Sequence, residues 1–95
     1  MVITTVEGVV EETREADLLS AWERVTSEPF PQGLVESMLA RAEGGRWRIH
    51  TVWESREAVM AMRSSTDRPA AVKVFAAAGA PTDVSIWDVA SHVRP

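Results

Sequence analysis

The sequence predicts an α+β fold of the ferredoxin-like type, βαββαβ, with four antiparallel strands in one sheet and the helices on a single face. Three observations carry this. Strand-like runs at residues 2–11 and 83–93 bracket the chain, Gly44-Gly45 separates two further runs able to pair as a hairpin, and helix-period apolar stripes occupy the two intervals between them. With right-handed crossovers, the order strand, helix, strand, strand, helix, strand closes as a split βαβ sheet.

The first run is rich in Val, Ile and Thr and carries no helical stripe, so it reads as a strand with Val2, Thr4, Val6 and Val10 on one face. Thr13 is the expected N-cap of the first helix. Glu15 and Asp17 complement its positive end, and Leu18, Trp22 and Val25 recur on one side. That helix must stop near Glu28, because Pro29 disfavours helical angles in the residue before it and Pro29 to Gly33 form a stiff loop.

A two-residue turn at Gly44-Gly45, both able to take positive φ, sets Glu43 opposite Arg46, Ala42 opposite Trp47, Ala40 opposite Ile49 and Met38 opposite Thr51. That register gathers Met38, Ala40, Ala42, Trp47, Ile49, Thr51 and Trp53 on one face. Val35, Ser37, Leu39, Arg41, Arg48, His50 and Val52 fall on the other. Ser55 caps a short helix to about Ser64 with Ala58, Val59 and Met62 inward. A second helix starts at Thr66 or Asp67 with Val72, Phe75 and Ala76 as its stripe, and Gly79 and Pro81 end it. Residues 83–93 alternate as a long last strand.

Ninety-five residues suit one domain spanning 1–95, and a domain of this size removes only about 60% of its unfolded surface from water, so a partner subunit adds useful burial. Helices on one face leave the mixed face of Leu39, Arg41, Arg48, His50 and Val52 open, and a homodimer through that face is the simplest cover. Fourteen acidic against ten basic side chains, a formal charge of -4, argue against nucleic acid and anionic membranes as partners. The chain has no cysteine, and its opening residues lack both a basic leader and a membrane-length apolar run, so a cytoplasmic location is expected.

The segment Phe30-Pro-Gln-Gly-Leu-Val-Glu-Ser-Met-Leu, then Gly44-Gly45-Arg46-Trp47-Arg48-Ile49, then Thr51-Val52-Trp53-Glu54-Ser55-Arg56-Glu57-Ala58 resembles the antibiotic biosynthesis monooxygenase (ABM) family of dimeric α/β barrels. The resemblance covers about residues 30 to 78. It implies two protomers packed sheet to sheet, a pocket between sheet and helices in each, and activities that include cofactor-independent oxidation of polycyclic aromatic polyketides, quinol oxidation and haem degradation. In the haem-degrading branch an Asn on the first strand works with a Trp and a His on the second helix. The matching helix positions here are Met62 and Val72, and the chain contains no Asn. The polyketide-oxidising branch uses Asn, Trp and Tyr, and there is no tyrosine either.

Trp53, Trp47, Trp22, Met38, Met62 and Phe75 are expected to project between sheet and helices. Large side chains at such spacing ordinarily pack as core. The functional alternative is an aromatic pocket for a flat apolar ligand, with Thr51 as an orienting hydroxyl. His50 reads first as an interface histidine and second as a candidate general base, its unperturbed pKa being about 6.5. No metal-ligand spacing, phosphate loop, nucleophile elbow or dinucleotide fingerprint occurs, so no cofactor is expected, and any redox chemistry would draw on the substrate's own electron-rich ring. Two functions follow from different classes: a cofactor-independent monooxygenase acting on a quinol or polyketide-like aromatic, or a non-enzymatic homodimeric binding module. A haem binder that does not degrade haem ranks third.

Overall fold

The computed structural model describes residues 1–95. β1 (Val2–Val9) leads through a 3-10 turn (Glu12–Arg14) into α1 (Glu15–Thr26). β2 (Leu34–Arg41) and β3 (Arg46–Trp53) follow as a hairpin, then α2 (Arg56–Ser64), α3 (Ala70–Ala77) and β4 (Asp83–Asp88). The sheet runs β2-β3-β1-β4 with every neighbour antiparallel, which is the ferredoxin-like order predicted from the sequence. The helices share one face because the alternate β1 and β3 side chains Val6, Trp47 and Ile49 join Leu18 and Ala21 of α1 and Val74 and Phe75 of α3 in one buried cluster. A second, smaller cluster joins Val2, Trp53 and Val59, with Met62 and Ile86 against it. No helix is long and apolar enough to cross a membrane.

Several boundaries depart from expectation. Thr13 lies inside the 3-10 turn and caps nothing. Arg14 precedes α1 instead, bonding Asp17 Oδ2 at 2.7 Å and the Ala77 carbonyl at 2.9 Å, so one guanidinium ties the start of α1 to the end of α3. α3 begins only at Ala70, since Pro69 holds an extended ψ of 146°. The Thr66 hydroxyl meanwhile accepts from Arg68 N–H and donates to Arg68 C=O, which orders the α2–α3 linker as a turn. Buried Val74 replaces exposed Ala76 in the inward stripe. β4 ends at Asp88, short of the predicted 93. Ser55 does cap α2, its Oγ accepting from Ala58 N–H at 3.1 Å, and Val59 is fully buried as expected.

The hairpin carries the main correction. Glu43, Gly44 and Gly45 form a three-residue loop closed by Ala42 N–H to Arg46 C=O at 2.8 Å, with both glycines at positive φ, so the two-residue turn does not form. One extra loop residue moves the register by one: Arg41 faces Trp47, Leu39 faces Ile49, Met38 faces His50 and Ser37 faces Thr51. Because side chains alternate with period two, the slip exchanges the faces of β2. Leu39 and Arg41 therefore lie on the helix-covered side, Leu39 packed against the main core and the Arg41 guanidinium 5.5 Å from the Trp47 ring centroid. Met38, expected inside, lies on the uncovered face and is 43% exposed. A bulge between Leu34 and Glu36 restores Leu34 to the helix side, where it packs against the Trp53 cluster. The uncovered face thus presents Ile3, Val9, Met38, His50 and Trp87 around a Glu7–Arg48 ion pair.

Candidate functional site

At the β3–α2 end of the protein the helices draw away from the sheet and leave a cleft of about 280 Å³. Its floor comes from the sheet: Thr4 and Val6 of β1, Ser37 of β2, and Ile49, Thr51 and Trp53 of β3. Its walls are Trp22 and Val25 of α1, Phe30 of the loop after α1, Met62 of α2 and Val72 of α3. The loop is held over the cleft by Gly33, whose carbonyl accepts from Glu54 N–H at 2.8 Å. Gly33 has φ +87°, and a Cβ there would sit 2.5 Å from the Ala58 Cβ. Only glycine lets the loop lie this close to α2.

The floor is polar in a specific way. Trp53 is 3% exposed, and its indole N–H donates to Thr4 Oγ1 at 3.0 Å, a buried bond that fixes the ring where β3 hands over to α2. Thr4 accepts there, so its own hydroxyl hydrogen is left over. Ser37 Oγ and Thr51 Oγ1 lie 2.8 Å apart, and since one O–H serves that bond, the other remains free to donate. Thr4 and Thr51 are both buried. The floor can therefore offer two O–H donors to a ligand oxygen, while no ionisable side chain lines it. Charged groups stand only at the exposed rim: Glu28, Arg63, Arg68 and Lys73.

Of the residues singled out from sequence, Trp53, Thr51, Trp22 and Met62 come together in the cleft. Phe75 and Trp47 do not line it; both are core, fully and almost fully buried, and Trp47 Nε1 has no hydrogen-bond partner. Met38 is lost to the cleft through the register slip. His50 sits on the uncovered face opposite Thr5 and Met38, with the sheet between it and the cleft, so it cannot act as a base there. Sequence reasoning missed Ser37, whose place depends on the register, and did not assign Thr4 to the site, although its alternation with Val6 and Val2 was a usable signal. No three His, Asp or Glu side chains are placed to hold a metal ion. A larger and more open depression of about 690 Å³ spans the hairpin end of the sheet and is lined by charged side chains such as Arg46, Arg48 and Asp83.

No family profile and no curated protein matches the chain. Solved structures do. A Deinococcus radiodurans protein assigned to the antibiotic biosynthesis monooxygenases superposes with a TM-score of 0.75 at 12% identity, over 100% of this chain and 98% of that one. SnoaB, a cofactor-independent oxygenase from Streptomyces nogalater, gives 0.73 at 15% identity over 99% and 97% in a mutant form. This chain has the ABM fold. A mutant of MhuD with two manganese protoporphyrin IX molecules bound per active site shares that fold as well, at a TM-score of 0.73 and 18% identity over the whole of both chains. Identities this low speak for the shared ABM architecture, while the chemistry must be argued from the side chains present. Met62 and Val72, the positions that the resemblance matches to the Trp and His of the haem-degrading branch, both line the cleft, with side chains that supply neither an indole nor an imidazole.

Proposed function

We propose that residues 1–95 act as one domain, a cytoplasmic homodimeric monooxygenase of the ABM type that oxidises a small electron-rich aromatic without a cofactor. The observation that carries this is the cleft itself: aromatic and aliphatic walls at Trp22, Phe30, Met62 and Val72 over a floor with two unspent hydroxyl donors. Such walls suit a flat ring. The donors suit an oxygen that gains negative charge when a quinol or anthrone ionises, because a hydrogen bond to a charged acceptor is roughly twice as strong as one to a neutral acceptor. With no base on the floor, the first proton leaves to water. The enolate or phenolate then reacts with dioxygen held beside it. For an anthrone, the ring methylene and O2 become a carbonyl and water, the substrate supplying all the electrons and the protons ending in the water molecule. The protein's part is to orient the ring, exclude solvent and stabilise the oxyanion.

The dimer is supported by the uncovered sheet face, where Val9, Met38 and Trp87 are large, apolar and exposed, Trp87 by 58%. A second reading, a non-enzymatic binding module, is favoured by cleft size. At about 280 Å³ the cavity falls just below the roughly 300 Å³ lower bound of small-molecule sites. Oxygen uptake with a panel of quinols and anthrones separates the two. Consumption above the uncatalysed rate, reduced in Thr51→Val and Thr4→Val, is expected. Binding without any added consumption would leave the module and remove the oxygenase.

A further inference from the structure

The protein carries fourteen acidic side chains against ten basic ones, yet at the mouth of the cleft the balance reverses: Arg63, Arg68 and Lys73 face a single Glu28. Arg14, Arg41, Arg48 and Arg56 each hold a carboxylate, whereas the three cations at the mouth, like Arg24, Arg46 and Arg94 elsewhere, have no acidic partner within 4.0 Å; what sets the mouth apart is that three such cations gather there. Local structure adds to this. The Thr66 turn fixes the backbone of Arg68, and α3 starts at Pro69 without a side-chain cap, so the first-turn amides of Ala70, Ala71 and Val72, which also line the cleft, remain open. An apolar cavity with hydroxyls below and uncompensated positive charge above has two polar ends.

We infer that the ligand is an aromatic acid, its ring between Trp22 and Met62 and its carboxylate at the mouth on Arg63, Arg68 and Lys73. This rests on the cleft being the ligand site, as proposed above, and adds the charge of what it takes. A neutral polycyclic ring would make no use of the three cations gathered at the mouth.

The test is isothermal titration of the full chain with 2-naphthoate and with the near-isosteric neutral 2-naphthalenemethanol. Naphthoate should bind tighter by about tenfold or more, the factor that one hydrogen bond to a charged group contributes. The preference should shrink as salt rises from low to high concentration, and it should disappear in Arg63→Gln/Arg68→Gln/Lys73→Gln. These are exposed positions, and circular dichroism checks that the variant is folded. Arg68→Glu/Lys73→Glu should reverse the preference toward the alcohol. Equal affinity for both probes in the wild type, or a preference unchanged in the variants, overturns the acid assignment and leaves the cleft as a ligand site. Failure of both probes to bind at millimolar concentration overturns the cleft itself, and the acid assignment with it.

Discussion

Replacing two adjacent residues of β2 by aspartate, one at a time, distinguishes the observed hairpin register from its neighbour by one residue. Leu39 packs against the cluster containing Leu18 and Ile49, whereas Met38 projects from the uncovered face and is 43% exposed. Leu39→Asp forfeits part of the roughly 1.5–3 kcal/mol that a buried leucine side chain contributes. It also brings a carboxylate against an apolar cluster, at a further cost of about 1–3 kcal/mol. A total near 3 kcal/mol, with a urea slope of about 1 kcal/mol per molar for a chain of this size, lowers the unfolding midpoint by about 3 M or prevents folding outright. Met38→Asp should shift the protomer's own stability by no more than about 0.5 kcal/mol. Tryptophan fluorescence in urea reads both. Where Met38→Asp does lower the midpoint, the loss should fade as wild type and variant are diluted together, because it then reflects lost association. A destabilised Met38→Asp at every concentration beside a neutral Leu39→Asp would refute the register, and with it the placement of Ser37 in the cleft.

Two further outcomes follow from the site's construction. Trp53→Phe removes the indole donor to Thr4 and should cost about 1 kcal/mol in chemical denaturation, with much of the loss recovered in Trp53→Phe/Thr4→Val, where neither partner is left unsatisfied. Gly33→Ala forces a side chain into φ +87° and against Ala58, so it should lower Tm by several degrees, roughly 4–8 °C for each kcal/mol in a domain of this length, and weaken ligand binding through displacement of Phe30.

Element order, the Ser55 cap, the split second helix and the apolar faces of β1 and β3 were legible because each follows from local chemistry: period-two alternation, a hydroxyl three residues before its amide, a proline that cannot continue a helix. Trp53, Trp22, Thr51 and Met62 were legible as neighbours for the same reason. What failed was set by a count rather than by composition. Gly44-Gly45 fits the two-residue loop expected and the three-residue loop found equally well, and the difference moved Met38, Leu39, Arg41 and Ser37 to opposite faces. The cationic mouth depended on how the α2–α3 linker turns, which Pro69 and Thr66 decide together through geometry that spacing does not reveal.

The strand order also bears on how the chain is made. β1, near the start, forms the sheet's inner row only once β3 and β4 lie on either side, and its contact with β4 brings together Thr5 and Trp87, 82 residues apart. During synthesis, β1 must wait with one flank unfilled until β4 leaves the ribosome. Folding should therefore be slow for so short a chain, and the nascent protein should be most prone to aggregation just before β4 emerges.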